Sequence, residues 1–318
     1  MLAKGELASM SGLLDHLAPL ALRRVGLLVA VFFVCALPTE AKAQGRGLGD
    51  FSAGSSASMD DGRPVDVELV VAVDVSWSMS DGEQIIQRDG YAAAFRSQEV
   101  QDAILDGVHG SIAVTYVEWA GEFSQATVIP WTLLDSKASA DAFAYRLATE
   151  PPSRRRRTSI SGAVGYGARL FEENGFSGMK RVIDVSGDGP NNQGPAITNA
   201  RDQAVAAGVV INGLPLMTAD RYTSWAAIDN LDDYYETCVI GGQGSFVIPV
   251  NDWSQFPQAV RRKLVLELAA DWPVDRTDPR HPSFDAPVVQ TQQSGDVDCL
   301  IGEKLWQQRQ WRWLDDDR

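Results

Sequence analysis

The sequence is poor in histidine, which limits the kinds of catalytic site it can build. Three histidines occur among 318 residues: His16 near the N terminus, His109 in a presumed surface loop and His281 in the C-terminal segment. None of them lies near the strand end that carries the polar motif described below. A nucleophile activated by a histidine base is therefore poorly supported.

Basic residues are also scarce. The chain has 28 lysines and arginines against 42 acidic residues, a formal net charge of −14 and a pI near 4.6. Nonspecific nucleic-acid binding depends on positive charge, so this balance argues against it. A Gly-rich phosphate-binding loop is missing as well, because residues 74–81 lack the Walker spacing.

Long apolar runs are absent too, and the one candidate lies at the N terminus. Arg23 and Arg24 precede the apolar residues 25–37, and the later Ala-Lys-Ala at residues 41–43 fits the small-x-small cleavage rule. We expect a signal peptide over residues 1–43, because the run is short for a spanning helix. This predicts a periplasmic or secreted protein with no stable membrane span after cleavage.

Cysteine is nearly absent from the predicted mature chain. Cys238 and Cys299 remain after residue 43. An oxidising compartment allows them to form a disulfide. Two free buried thiols are equally compatible with the sequence, which does not give their separation.

The remaining chain predicts one α/β domain. Residues 44–64 are rich in glycine, serine and alanine and read as a linker, whereas residues 65–270 alternate strand and helix patterns. This alternation predicts a doubly wound, mostly parallel sheet of Rossmann-like type. Strand patterns at residues 111–119 and 125–131 are close enough for a hairpin, which predicts one antiparallel edge strand.

The end of the domain is less regular in pattern. A last strand is expected at residues 245–250 and a last domain helix at residues 253–268. Residues 271–318 are expected to be a largely irregular C-terminal tail, because proline, aspartate and glutamine replace the periodic pattern. A short helix is possible within residues 299–314.

The most informative polar motif follows a valine-rich strand. Asp74, Ser76 and Ser78 are alternate residues, so their side chains point the same way if extended geometry persists. Thr158 and Asp188 follow at positions predicted to reach the same sheet edge, where open α/β sheets place their sites. Such hard oxygen donors favour Mg²⁺, with Ca²⁺ or Mn²⁺ as alternatives. The simpler alternative is a polar turn after a strand.

These residues carry a family resemblance. The order Asp-x-Ser-x-Ser, then Thr158, then Asp188-Gly189 resembles the metal-ion-dependent adhesion site of von Willebrand factor type A domains. Further stretches resemble one branch of that superfamily, a set of secreted bacterial proteins with a domain of unknown function. They are residues 87–91, 116–119, 158–161, 184–189, 211–214 and 239–242.

The resemblance implies a division of roles within the site. Ser76 and Ser78 would bind the ion directly, Thr158 would join according to state, and Asp74 and Asp188 would balance the charge. It also implies a non-enzymatic binding module, in which a partner's Asp or Glu completes the metal shell. Two alternatives remain open: a metal-assisted hydrolase, and a structural assembly module with a vestigial metal site.

Several residues near the motif need an interpretation of their own. The arginines at residues 154–157 are either a solvated loop or a positive rim that attracts an acidic partner. Trp77 is expected to pack in the core, with an exposed contact beside the ion as the alternative. Asp184 and Glu118 lie within apolar strands, where an unpaired carboxylate is costly, so we expect both to have structural partners.

Overall fold

A computed structural model describes residues 62–151, 153–172, 174–218, 227–268 and 297–316. The strands are β1 (Arg63–Asp74), β2 (Ile112–Trp119), β3 (Gln125–Leu134), β4 (Phe176–Gly187) and β5 (Val209–Pro215). The helices are α1 (Asp81–Arg96), α2 (Gln98–Leu105), α3 (Lys137–Thr149), α4 (Ile160–Leu170), α5 (Ile197–Ala206), α6 (Leu231–Tyr234), α7 (Phe256–Leu268) and α8 (Ile301–Asp316). The predicted signal peptide and most of the predicted linker lie outside the described residues.

The strands form one sheet in the order β3-β2-β1-β4-β5. Strand β1 is parallel to both β2 and β4, and β4 is parallel to β5. Strand β3 pairs antiparallel with β2 at the edge. The predicted doubly wound, mostly parallel α/β sheet with one antiparallel edge strand is therefore confirmed.

Strand β1 is central because its side chains are apolar on both faces. Leu69, Val71 and Val73 contribute to a core that also contains residues of α1, α2, α3 and α7. Val70 and Ala72 point to the opposite core, where residues of α4, α5 and the π-helical turn Tyr235–Val239 pack. This two-residue alternation is what a strand buried between two helical layers requires.

The predicted last strand at residues 245–250 does not form as a strand. Only isolated bridges join Val247 to Gly213 and Val250 to Leu216. Pro249 lies between them and has no N–H to donate to a ladder, which explains why the pairing is interrupted. The prediction of a strand there was wrong, although the segment lies beside β5 as expected.

The short helix expected within residues 299–314 is present, and it extends over Ile301–Asp316. The described part of the predicted irregular tail contains helix α8, which begins two residues after Cys299. A disulfide joins Cys299 to Cys238, with 5.5 Å between their Cα atoms. The helix is thus covalently attached to the domain. Across the described residues, no helix combines the length and apolar character needed to cross a membrane.

Candidate metal centre

The sheet register brings the predicted site residues to one edge. Asp74 ends β1 and is paired with Trp119, while the preceding residue Val73 is paired with Ser186 of β4. Because β1 and β4 are parallel, Asp188 follows β4 at the same edge where Asp74 ends β1. The serine-containing loop after Asp74 then leads into α1.

Four of the five predicted site residues form a continuous chain of hydrogen bonds. The backbone N–H of Ser76 donates to Oδ1 of Asp74 at 2.6 Å. The hydroxyls of Ser76 and Ser78 are 2.8 Å apart. The Ser78 hydroxyl donates to Oδ1 of Asp188 at 2.8 Å. Residues that are up to 114 positions apart thus form one cluster of oxygen atoms at the carboxyl edge of the sheet.

Thr158 lies in an adjoining loop but is attached through its backbone. Its N–H donates to Oδ1 of Asn192 at 3.1 Å, and its carbonyl accepts from the Asn192 N–H at 2.9 Å. The hydroxyl of Thr158 forms no hydrogen bond with the other four site residues in the described part of the chain. Ser159, not Thr158, caps α4 by accepting from the Gly162 N–H. The role of Thr158 as a metal ligand stays a prediction.

The two carboxylates of this cluster are buried at a high electrostatic cost. Burial raises the pKa of Asp74 well above its usual range, and the nearby charge of Asp188 raises it further, against hydrogen bonds from Ser76. Burial likewise raises the pKa of Asp188 to about 6, although the hydrogen bond from Ser78 opposes the shift. The second carboxylate oxygen of Asp74, Oδ2, is buried without a hydrogen-bond partner.

Positive charge from the chain does not compensate these carboxylates. Neither Asp74 nor Asp188 forms an ion pair with a lysine or arginine among the described residues. The described ranges contain no group of three or more His, Cys, Asp or Glu residues placed to hold a metal ion, so the site differs from metal sites built from those side chains alone. Two carboxylates with neutral hydroxyls are a donor set that fits a hard divalent cation.

Tyr235 and Trp119 lie close to Asp74, and the sequence did not predict this arrangement. The Tyr235 hydroxyl and the Trp119 indole N–H are both buried without hydrogen-bond partners. A Cβ at Gly187 would stand 2.9 Å from the Tyr235 hydroxyl and 3.1 Å from Oδ2 of Asp74. Glycine is therefore required at this close approach. The local sequence around Tyr235 does not predict that this residue lies close to Asp74.

Trp77 is not a core residue, and this prediction was wrong. Its side chain is 53% exposed. The chain leaves extended geometry here, because residues 77–78 form a turn in which the Met79 N–H donates to the Ser76 carbonyl at 3.1 Å, and the ring faces outwards. The guanidinium of Arg156 lies 4.1 Å from the centre of its ring, and Arg154 donates to its backbone carbonyl at 2.8 Å.

The two carboxylates within apolar strands have structural partners. Asp184 pairs with Lys263 at 2.7 Å and accepts from the Tyr91 hydroxyl at 3.2 Å. Glu118 pairs with Arg88. His109, the one histidine among the described residues, donates its backbone N–H to Asp66 near the start of β1, at the opposite edge of the sheet from the site.

The strand order and the polar cluster at the carboxyl edge define a von Willebrand factor A-like domain, as the sequence predicted. The chain matches the family described as "Protein of unknown function (DUF1194)" over residues 64–272, and it belongs to that family. The predicted branch with a domain of unknown function is therefore confirmed. No curated protein matches the chain.

Three solved structures illustrate what the chain is similar to. Proximal thread matrix protein 1 from the mussel byssus, described with a zinc-occupied MIDAS motif, has a TM-score of 0.45 and 17% identity over 65% of this chain and 49% of its own. The pilus adhesin SpaC from Lactobacillus rhamnosus GG has a TM-score of 0.47 and 11% identity over 64% and 30%. A von Willebrand factor type A protein from Catenulispora acidiphila has a TM-score of 0.42 and 15% identity over 64% and 43%. The chain spans about half the length of the first structures it matches.

Proposed function

We propose that this protein is an exported, non-enzymatic binding module that holds a partner through a divalent cation. The observation that carries the proposal is the hydrogen-bonded cluster of Asp74, Ser76, Ser78 and Asp188, with two buried carboxylates that no described cation of the chain neutralises. A buried pair of like charges is stable only when a proton or a bound cation compensates it. A cation at this edge would satisfy both carboxylates.

Mg²⁺ is the ion that this donor set fits best. The hydroxyls of Ser76 and Ser78 would bind it directly, with Thr158 as a further ligand and with Asp74 and Asp188 as the balancing charges. When bound, the ion supplies a positively charged centre that accepts a carboxylate oxygen from outside. Mg²⁺ prefers six oxygen ligands and retains water readily, so a site with few protein ligands leaves room for a partner.

The surroundings of the site favour an acidic partner. The arginine rim, residues 154–157, borders the site, because Arg155 forms a parallel bridge with Ser76. Arg155 and Arg156 are exposed and form no ion pair with a carboxylate in the described part of the chain. In a chain of net charge −14, this local positive charge would attract and orient a partner that presents Asp or Glu. The exposed ring of Trp77 adds an apolar contact beside the ion.

Within the part of the chain that the structure describes, the contacts of Ser76 do not resemble those of a catalytic serine. The Ser76 hydroxyl is hydrogen-bonded to Ser78 and not to a histidine or lysine base. A serine nucleophile needs such a base within hydrogen-bond reach. The same hydroxyls are better explained as ligands to a cation.

Affinity capture from periplasmic extract tests this function. The full chain would be immobilised in Mg²⁺, in EDTA and as Ser76→Ala, and bound proteins would be identified by mass spectrometry. A candidate counts only if, once purified, it rebinds in Mg²⁺ and loses binding when one of its own Asp or Glu residues is changed to Asn or Gln. A purified partner whose binding is indifferent to EDTA and to Ser76→Ala would contradict the proposal. Hydrolysis of an ester or phosphate by the wild-type protein that is lost in Ser76→Ala would contradict it as well.

A further inference from the structure

Helix α8 lies directly against the loop that carries Asp188. A Cβ at Gly302 would stand 2.0 Å from the carbonyl oxygen of Asn191, so the two backbones are in contact. Helix α8 is outside residues 64–272, the part that matches the family. The disulfide between Cys238 and Cys299 fixes the start of the helix to the domain. An element beyond the family's own region therefore borders the site.

Asn191 joins the helix to the site loop. Its side chain is fully buried, three residues after Asp188. Its Nδ2 donates to Oε1 of Glu303 at 2.7 Å, and its Oδ1 accepts from the Ser161 N–H at 3.0 Å. The next residue, Asn192, holds the backbone of Thr158 from both sides. Glu303 thus supports the segment that positions both Asp188 and Thr158.

Further contacts hold the helix on this face. The guanidinium of Arg157, next to Thr158, lies 3.4 Å from the ring centre of Trp306. The Tyr234 hydroxyl accepts from the Asn191 N–H at 3.2 Å, on the same side as the disulfide. The side chain of Glu303 is partly buried, and its second oxygen is buried without a partner. This is a packed interface and not a loose terminus.

We propose that helix α8 is a positioning element of the metal site, in which Glu303 acts through Asn191 on Asp188 and Thr158. This inference rests on the proposed function, since it assigns the helix a role in cation binding. A buried Asn can support neighbouring ligands only while its own donors and acceptors are satisfied. Loss of the Glu303 acceptor leaves Nδ2 of Asn191 with Pro195 alone and loosens the loop.

Calorimetric titration of Mn²⁺ into the full chain tests the proposal. Glu303→Ala should weaken Mn²⁺ binding about tenfold, the size typical of a lost supporting hydrogen bond at a metal site. Glu303→Gln should restore affinity to within about threefold of wild type, because its amide oxygen can accept from Asn191. Gln308→Ala is the matched control, as it changes an exposed residue of the same helix.

The double variant Cys238→Ser with Cys299→Ser should shift Mn²⁺ affinity in the same direction as Glu303→Ala. If it does not fold, Glu303→Ala decides alone, with its unchanged circular dichroism spectrum as the check on folding. Wild-type affinity in a folded Glu303→Ala protein would overturn the positioning role while leaving the proposed function intact. Absence of Mn²⁺ binding in wild type would overturn the proposed function itself.

Discussion

Two buried acidic clusters differ in how their charge is compensated: Asp184 lies within β4, and Asp188 follows the end of that strand. Asp184 faces Lys263, and both side chains are fully buried. Lys263 also pairs with Glu267, which accepts from Asn212 at 3.0 Å. Asp188 accepts from the hydroxyl of Ser78. Among the described residues, the first cluster contains its own cation, whereas the second contains no basic group.

The two clusters separate the buried charges that hold the fold together from those that are available for a ligand. Burial raises the pKa of Asp184, and the charge of Lys263 opposes part of that rise. Among the described residues, no basic side chain has that effect on Asp74 or Asp188. The Lys263 cluster is not fully compensated, since Oε2 of Glu267 is buried without a hydrogen-bond partner and burial raises the pKa of Glu267 to about 7. We infer that this cluster is nevertheless held by its own cation, and that the Asp74–Asp188 cluster requires a ligand.

The largest expected effect on stability comes from removing Lys263, the cation of the Lys263 cluster. Lys263→Met should lower the free energy of unfolding by about 3–5 kcal/mol, because it leaves Asp184 and Glu267 buried without their partner. Urea unfolding measures this loss. The control Lys137→Met removes an exposed ion pair with Asp102 and should cost less than about 1 kcal/mol. Equal losses in both variants would contradict the distinction.

The Asp74–Asp188 cluster should make the stability of the protein depend on pH, and a bound cation should suppress this dependence. The pKa of Asp188 in the folded, cation-free protein is about 6, above its ordinary value of 3.8. The folded state therefore binds more protons between these values, and its stability falls as pH rises through that window, by up to about 3 kcal/mol. Asp74 acts in the same direction.

Unfolding free energies from pH 4 to 7, in EDTA and in saturating Mg²⁺, measure this effect. The fall should be reduced in Mg²⁺, because the cation replaces the proton as pH rises. Asp188→Asn supplies the control, since burial raises the pKa of Glu267 to about 7 in both proteins and that contribution cancels in their difference. A wild-type profile identical to that of Asp188→Asn would contradict the assignment.

Neutralising one acid in each cluster should destabilise the protein in the Lys263 cluster and should not destabilise it in the Asp74–Asp188 cluster. In EDTA, Asp184→Asn should destabilise the protein by about 1–3 kcal/mol, because Lys263 loses a charged partner. Asp74→Asn should be neutral or stabilising by about 1 kcal/mol, because it removes an uncompensated buried charge and keeps an acceptor for the Ser76 N–H. Urea unfolding of both variants at pH 7 gives the comparison. Destabilisation of the same size in both would contradict it.

The smallest expected effect on stability lies at the arginine rim. Arg155→Gln with Arg156→Gln should change the free energy of unfolding by less than about 0.5 kcal/mol, since both side chains are exposed. The same pair of changes should slow partner association and weaken its salt dependence. Surface plasmon resonance with the EDTA-sensitive partner checks the rate. An unchanged association rate would show that the rim does not steer encounter.

Local patterns in the sequence predicted the sheet and the Asp74 motif, because both depend on short-range alternation. Trp77 was expected in the core because it is hydrophobic and because alternation continues the face of Val73; the turn that exposes it, in which the Met79 N–H donates to the Ser76 carbonyl, was not predicted. Tyr235 and Asn191 were missed because their roles arise from contacts between distant segments. Helix α8 was expected only as a short helix, and its packing was not predicted. That packing depends on a disulfide, and the sequence did not decide between a disulfide and two free thiols.

A divalent cation is proposed to occupy the Asp74–Asp188 cluster. Titration of Mn²⁺ into the full chain, into Asp74→Asn and into Asp81→Asn tests it most directly by calorimetry. Asp81 is the matched control, because its side chain lies near the site but is 75% exposed. We predict one bound ion in wild type and in Asp81→Asn, and affinity reduced at least tenfold in a folded Asp74→Asn protein. Equal binding by wild type and Asp74→Asn, or no binding by wild type, would contradict the account.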